Sequence, residues 1–216
     1  METEIIYREK SFVIVKKQSG VLSENTSGNT LGMVDLLKDT LGCGVFPIHR
    51  LDREASGVMV YATDKRCAAN LSEEISLGKF KKEYLIIVHG VPEKENGIME
   101  DLLFKDSGKN KSFVVDRERK GVKKASLEYT LLKTAQIGEE SFSLVRVKLH
   151  TGRTHQIRVQ FSSRNMPIVG DLRYGSNIKT EMCLFSCHIG FENPYTKEQM
   201  SFECKPEGKF WENFGE

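Results

Sequence analysis

Six short runs rich in β-branched and aromatic residues are the feature that most restricts how this chain can fold. Runs of this kind, bounded by glycine, proline and polar residues, are typical of strands that are half or fully buried in a sheet. They dominate over helical patterns and therefore predict a large, mostly antiparallel or mixed sheet. The runs cover residues 5–7, 12–15, 58–62, 84–88, 126–132 and 142–149.

Helical spacing of apolar residues occurs in three segments. They cover residues 31–41, 64–78 and 154–164. Gly42 follows the first segment, where a left-handed C-terminal cap is expected. Asp64 is the expected N-cap of the second, and Thr151 or Thr154 can cap the third.

Charge and cysteine content limit the class of protein. The 216 residues include 32 Lys and Arg against 30 Asp and Glu, a formal charge of +2, so any surface for a polyanion must be made locally. Five cysteines form an odd set without a CxxC pair, and neither a signal-peptide pattern nor an apolar membrane span is present in the sequence. Because the composition marks no linker, we expect one domain over residues 1–216, monomeric and in a reducing cytoplasm.

Residues 104–124 carry eight Lys or Arg against three acidic residues. One interpretation of such a charge run is a solvated, flexible hairpin. The other is a surface that contacts phosphates, with Lys123 and Lys124 as contacting residues. The sequence leaves both interpretations open.

A polar loop over residues 48–57 is the first candidate for chemistry. It lies between two strand-like runs and ends in glycine, a setting in which catalytic groups are commonly mounted. Asp52 stands between Arg50 and Arg53, and nearby cations favour the ionised carboxylate that can act as a nucleophile. Taken alone the loop identifies no function, because Asp followed by Ser and Gly is also a common turn or capping pattern.

A second candidate segment, TGRTHQIR over residues 151–158, follows a strand-like run and opens the third helix. Its helix N-terminus, with Arg153, His155 and Arg158, offers N–H groups and cations to phosphates or to a buried carboxylate. His155 fits a general base or a histidine hydrogen-bonded for structure. Tyr84 fits either sheet packing or a site mouth, where it would stack on a base or accept a proton.

The cysteines near the C-terminus allow a zinc site as a minor alternative. Cys183, Cys187, His188 and Cys204 are ligand types that zinc prefers. The alternation in MCLFSCHIGF is better explained by buried cysteines in a strand, so we expect no metal.

Several motifs in this order resemble the RluA-like pseudouridine synthases. They are HRLD followed by SG at residues 49–57, KKEY at 81–84, TGRTHQIR at 151–158, PIVGD at 167–171 and FENPYTKE at 191–198, with KKQSG at 16–20 where the family usually has KPxG. The chain departs from the family at Ala55 (commonly Thr), Gln18 (usually Pro) and Phe185 (often His). We interpret it as a compact member, because no S4-type RNA-binding domain precedes KKQSG.

The resemblance implies the pseudouridine synthase fold, an α/β architecture of α+β type. Its central mixed, mainly antiparallel sheet would be flanked by helices and crossed by an RNA-binding cleft. The implied reaction is the isomerisation of selected uridines in a stem-loop of ribosomal or transfer RNA: the N1–C1′ bond is cleaved and the base is rejoined through C5. Neither cofactor nor metal is implied, and the target nucleotide must be flipped out of its stack.

The resemblance also implies residue roles. Asp52 would be the nucleophile, attacking C1′ of the ribose or C6 of the base, and Arg158 would pair with it and orient it. Tyr84 would lie against the uracil and remove the C5 proton, and Arg50 would enter the space that the flipped nucleotide leaves. The remaining predicted RNA-contacting residues are Leu51, Arg153, His155, Ile157, Lys123 and Lys124.

Two other classes of protein remain alternatives at the level of sequence. A non-catalytic RNA-binding module of the same fold would bind RNA without needing Asp52. A carboxylate-dependent nucleoside hydrolase would release free uracil and would not require structured RNA.

Overall fold

The computed structural model describes residues 3–25 and 31–215. The strands are β1 (Glu4–Arg8), β2 (Phe12–Lys17), β3 (Phe46–Pro47), β4 (Ser56–Ala62), β5 (Lys81–His89), β6 (Asn96–Asp106), β7 (Lys111–Val115), β8 (Val122–Ile137), β9 (Glu140–Leu149), β10 (Leu184–Glu192) and β11 (Gln199–Glu203). The helices are α1 (Met33–Leu41), α2 (Lys65–Ser76), α3 (Gln156–Ser162) and α4 (Lys209–Glu212), with a 3₁₀ turn at Leu172–Tyr174.

The described residues form two compact units. The first unit consists of the chain up to Lys82 together with Phe185–Pro206, and the second of Glu83–Leu184 together with residues 207–215. A single catalytic domain over residues 1–216 stays a prediction.

In the first unit, β2 lies between β1 and β4 and is antiparallel to both. β10 runs parallel to β4 and antiparallel to β11, so the sheet is mixed. Helix α2 places Cys67 and Leu71 against a buried cluster that includes Phe12, Val60 and Phe191. Removal of this apolar surface from water supplies the main driving force for folding of the unit.

The glycine of the SG motif that ends the Asp52 loop, Gly57, is required by the packing of β4 against β10. Gly57 has a φ of +117°, and a Cβ there would lie 2.5 Å from the backbone nitrogen of Ser186 on β10 and closer still to its carbonyl oxygen. Any side chain would push β10 away from β4. Ser186 also donates from Oγ to the carbonyl of Val58 at 3.0 Å, which ties the two parallel strands together.

In the second unit the strands are antiparallel in the order β5, β9, β8, β6, β7. Helix α3 covers one face of the β6–β8 region. There Leu103, Ala125 and Val159 form a buried cluster with Tyr174. All six residues of α3 from Gln156 to Phe161 are buried, so the helix has no solvent-facing stripe in its first turns.

The mixed, mainly antiparallel sheet with helices packed on it is confirmed, and each of the six predicted strand runs lies within a strand. The first two helices are also confirmed. Gly42 caps α1 with a φ of 67°, and the Asp64 side chain accepts a hydrogen bond from the Cys67 amide at 2.8 Å. No helix of the described chain is long and apolar enough to cross a membrane.

The cap predicted for the third helix is wrong. Helix α3 starts at Gln156, and its N-cap is His155, whose φ of 52° is left-handed and whose side chain makes no capping hydrogen bond. Thr151 accepts from the Ser126 amide instead, and it donates to the Gln156 side chain at 2.8 Å. The hydroxyl is engaged with a neighbouring strand, which local sequence does not reveal.

Candidate active site

The loop that carries Asp52 is fastened to the first unit through its neighbour Leu51. The Leu51 amide donates to Oγ of Ser23 at 3.0 Å, and the same hydroxyl donates to the Leu51 carbonyl at 2.8 Å. Tyr61, buried on β4, donates from its hydroxyl to the Ser23 carbonyl. Leu51 itself is buried. The backbone immediately before Asp52 is therefore held both by the packing of Leu51 and by its hydrogen bonds with the Ser23 side chain.

The KKQSG segment holds the other side of the same loop. Lys17 is fully buried and donates from Nζ to the carbonyls of Val21, Gln18 and Arg53, at 2.7, 3.0 and 3.1 Å. The Gly20 amide donates to the Arg53 carbonyl at 2.8 Å, and Ser19 donates from Oγ to the carbonyl of Glu54. The motif therefore restrains the residues that follow Asp52.

Burial lowers the pKa of Lys17 to about 8, and the nearby charges of Asp52 and Glu54 oppose this shift. A buried ammonium costs desolvation free energy, which the three carbonyl bonds partly offset. Lys17 thus brings a cation close enough to Asp52 to act on it electrostatically. The sequence analysis gave this residue no role.

His49 anchors the start of the loop. Its Nε2 accepts a hydrogen bond from the Val60 amide at 3.3 Å, and its ring lies 5.6 Å from the ring of Phe80. Burial, together with the charge of Lys82, lowers the pKa of His49 to about 3, so the imidazole is neutral. Since Nε2 is the acceptor, the proton is on Nδ1, which has no hydrogen-bond partner among the described residues.

The polar residues of the loop itself remain accessible. The Asp52 carbonyl accepts from the Ala55 amide in a turn, and the Asp52 side chain is half-buried. Arg50 is exposed and pairs with Glu24 at 2.8 Å. Arg53 is also exposed and donates from Nε to the Gly20 carbonyl. The loop is therefore rigid in its backbone and presents its charged groups to solvent.

Arg158 lies in the second unit on the buried helix α3. It donates from Nε and Nη2 to the two carboxylate oxygens of Asp171 at 2.6 and 2.8 Å, and both side chains are almost fully buried. This fork uses two of the five guanidinium N–H donors. Pairing with Asp171 is thus compatible with the predicted pairing of Arg158 with Asp52, which stays a prediction.

Tyr174 connects several groups around Arg158. The guanidinium carbon of Arg158 lies 5.1 Å from the Tyr174 ring centroid, a cation–π distance. The Tyr174 hydroxyl accepts from the Ser112 amide at 2.8 Å and lies 3.0 Å from Nδ1 of His155. His155 therefore has a structural hydrogen bond, as one of its two interpretations required.

Tyr84 and Ile157, which were predicted to lie against the RNA substrate, are both buried. Tyr84 lies on β5 opposite Val147 of β9 and is 5% exposed, and Ile157 on α3 is 4% exposed. Their predicted contact with the target uracil stays a prediction.

The predicted phosphate contacts Lys123, Lys124 and Arg153 are exposed. Residues 104–124 form the end of β6, all of β7 and the start of β8. Arg153 donates from Nε to the Lys124 carbonyl at 2.9 Å, which brings two predicted RNA-contacting residues together. Lys123 and Lys124 are consecutive on β8, so their side chains point to opposite faces of the sheet.

Asp171 and Tyr174 are the structural partners that sequence reasoning missed. Their motif, PIVGD followed by LRYG, was visible, but a partner for a buried arginine could be sought only once α3 was known to be buried on all sides. No three His, Cys, Asp or Glu residues in ranges 3–25 and 31–215 are grouped closely enough to hold a metal ion.

Comparison with known proteins adds the family. The sequence model of the family described as RNA pseudouridylate synthase matches residues 11–163. A protein named ribosomal large subunit pseudouridine synthase C from Buchnera aphidicola subsp. Baizongia pistaciae is 36% identical, over 79% of this chain and 53% of its own length. One named tRNA pseudouridine synthase C from Vibrio parahaemolyticus is 28% identical, over 93% of this chain and 89% of its own.

The fold is also similar to that of a solved structure. Human RNA Pseudouridylate Synthase Domain Containing 1 superposes with a TM-score of 0.79 at 24% identity, covering 95% of this chain and 83% of that one. This agreement confirms the pseudouridine synthase fold that the motifs implied.

Proposed function

This chain belongs to the RNA pseudouridylate synthase family, a family of isomerases, and we propose that it converts uridine to pseudouridine with Asp52 as its nucleophile. The observation that carries the proposal is the restraint on the Asp52 loop. Ser23 holds the residue before Asp52, and Lys17 and Ser19 hold the residues after it. A carboxylate mounted this rigidly loses little entropy when it attacks a bound nucleotide.

Arg158 is proposed to orient Asp52, and Asp171 to orient Arg158. The fork between Arg158 and Asp171 fixes the plane of the guanidinium, so its remaining N–H donors point in defined directions. The Asp52 carboxylate would accept hydrogen bonds from these donors and would thereby be held in one orientation. Tyr84 would lie against the uracil and accept the C5 proton.

In this reaction the N1–C1′ bond breaks and a C5–C1′ bond forms, while C5 loses its proton and N1 gains one. Attack of Asp52 on C1′ or on C6 satisfies this balance. The nucleotide must leave its stack to reach Asp52, which costs a few kcal/mol. Arg50, exposed next to Asp52, is proposed to occupy the space left behind.

The proposed substrate is a uridine in a stem-loop of transfer or ribosomal RNA, since relatives with both names match this chain. We place the protein in the cytoplasm as a monomer, supported by its odd number of cysteines without a CxxC pair and by an RNA substrate.

Release of tritium from carbon 5 of uridine tests the proposal directly. Total RNA labelled with tritium at C5 of uridine, taken from cells that lack the gene, is incubated with the purified protein in the presence of a chelator. We expect tritium to enter the solvent and pseudouridine to appear at a defined site, while Asp52→Asn releases none. Release of free uracil would instead support a nucleoside hydrolase, and binding without tritium release would support a non-catalytic module.

A further inference from the structure

One face of the three-stranded region β7–β6–β8 carries a regular set of five half-buried apolar side chains and one exposed lysine. β6 is the middle strand, and residues paired across antiparallel strands share a face. Leu102 is flanked by Val115 and Lys124, and Phe104 by Phe113 and Val122. We call this two-by-three set the Phe104 face.

The Phe104 face is the one that α3 leaves uncovered. Leu103, Ala125 and Val114 alternate with its residues along the same strands and pack with α3 on the opposite face. Leu102, Phe104, Phe113, Val115 and Val122 are all only partly buried. The burial pattern thus gives a half-exposed surface that contains two neighbouring aromatic rings.

Cations surround these rings. The Arg119 guanidinium carbon lies 4.7 Å from the Phe104 ring centroid, and Lys111 Nζ lies 5.8 Å from that of Phe113. The whole chain has a formal charge of only +2, yet residues 104–124 hold eight basic against three acidic residues. The positive charge is therefore concentrated in this segment, and its residues Arg119, Lys111 and Lys124 lie at the Phe104 face.

A cleft of about 370 Å³ opens on this face. It is lined by Leu102, Glu118, Arg119, Val122 and Lys124. Its volume falls in the range of about 300–1,000 Å³ that is usual for small-molecule sites. The lining combines apolar walls with two cations and one carboxylate, and its net positive charge suits a flat base joined to a phosphate.

We propose that the Phe104 face is a second nucleotide site, which stacks unpaired bases of the RNA substrate outside the catalytic centre. Aromatic rings and Arg planes stack on any base, and the adjacent cations neutralise the backbone phosphates. The site would therefore take single-stranded RNA beside the stem and would show little sequence preference. This inference rests on the proposed RNA substrate, but it does not require Asp52 to be the nucleophile.

Binding of two RNA probes tests the site. The full chain is titrated with a short fluorescein-labelled single strand of mixed sequence and with the same strand annealed to its complement. Phe104→Leu keeps an apolar side chain and removes the ring, so it should weaken single-strand binding roughly 5- to 150-fold and leave duplex binding nearly unchanged. Phe104→Tyr retains the ring and should restore the affinity.

Phe210→Leu is the matched control. Phe210 is half-buried in the same unit and packs edge-on against Phe142, 5.3 Å away, so its replacement removes a comparable ring elsewhere. It should leave both affinities unchanged. Equal loss of single-strand and duplex binding in Phe104→Leu would reduce the face to a phosphate-contacting surface and overturn the proposal.

Cross-linking of the wild-type protein gives a measurement that does not depend on any variant folding. The same single strand carrying 4-thiouridine is irradiated with the protein, and the cross-linked peptide is located by mass spectrometry. Cross-links within residues 102–124 are expected, and their confinement to other segments would contradict the proposal. A change of oligomeric state in Phe104→Leu by sedimentation would show that the face joins copies of this chain instead.

Failure of this site and failure of the proposed reaction are separable. If the wild type releases tritium but Phe104→Leu binds single strands normally, only the second nucleotide site is wrong. If no tritium is released but single-strand binding depends on Phe104, only the catalytic proposal is wrong.

Discussion

The two carboxylate oxygens of Asp171 accept hydrogen bonds from Nε and Nη2 of Arg158, at 2.6 and 2.8 Å. Only 1% of the Asp171 side chain and 3% of the Arg158 side chain is exposed. Two opposite charges in such a setting lose most of their hydration, and each depends on the other for compensation. Through this pair Asp171 can fix the orientation of Arg158, the arginine that is proposed to orient Asp52.

Removing one partner should therefore be costly. Asp171→Asn should lower the free energy of unfolding by up to about 3–5 kcal/mol, because it removes the charged carboxylate that forms the bidentate pair with the buried Arg158. Urea denaturation followed by circular dichroism measures this change. Arg164→Gln is the matched control, since the Arg164 pair with Asp101 is partly exposed and should contribute roughly 0–1 kcal/mol.

Two further variants separate stability from catalysis. Arg158→Lys keeps the charge but loses the planar fork, so tritium release should fall substantially. Replacing both partners, as Arg158→Met with Asp171→Leu, should recover stability relative to Asp171→Asn without recovering activity. An active double variant would show that Arg158 is structural only.

The parts of the fold that depend on local sequence could be predicted. Asp64 caps α2 and Gly42 ends α1, because both effects need only a few neighbouring residues. The six alternating runs became strands for the same reason. The HRLD loop was also located correctly as a polar connection between two strands.

The parts that depend on distant residues could not. Glycine is required at position 57 because β10 approaches it closely. Since β10 is far away in sequence, the residues around Gly57 do not predict this requirement. Thr151 was a reasonable cap, but its hydroxyl bonds to Ser126 on β8. The role of Lys17 could not be predicted for the same reason, since the Arg53 carbonyl that it contacts comes from another segment.

Asp52→Asn should abolish tritium release while RNA affinity stays within a few-fold of the wild type. The amide nearly preserves the shape of the side chain but removes the nucleophile. Glu54→Gln is the matched control, because it neutralises an exposed carboxylate of the same loop and should retain activity. Ordinary turnover by Asp52→Asn would leave the family assignment intact and remove this residue from the mechanism.

His49 should make the protein sensitive to acid. Its pKa is about 3 in the folded chain, against an ordinary value of 6.5, because it is buried and near Lys82. Between these values the unfolded chain takes up a proton that the folded chain does not, so stability falls as the pH falls from 6.5 to 3. The imidazole contributes no such loss above pH 6.5.

His49→Gln keeps an acceptor for the Val60 amide but cannot titrate. We therefore expect a shallower decline of unfolding free energy with falling pH, by up to one proton's worth of slope. Urea denaturation at a series of pH values measures this slope. An unchanged slope in His49→Gln would show that another group dominates acid unfolding.

The Glu118 carboxylate weakens the attraction of the basic residues in segment 104–124 for RNA phosphates. Its Oε1 lies 3.6 Å from Nζ of Lys124, and both side chains are exposed. An RNA phosphate must compete with Glu118 for Lys124, so Glu118→Gln should raise RNA affinity at low salt. Lys124→Ala and Lys123→Ala should each lower the slope of log K against log salt by about one if each contacts a phosphate.

The two lysines can be told apart by their coupling to Glu118. They lie on opposite faces of β8, and only Lys124 is paired with Glu118. The gain from Glu118→Gln should therefore disappear in a Lys124→Ala background and persist in a Lys123→Ala background. Fluorescence anisotropy with labelled RNA over a range of salt measures all six combinations. If the gain in RNA affinity persists in both backgrounds, it comes from the general change in charge. The proposal that phosphate competes with Glu118 for Lys124 would then be wrong.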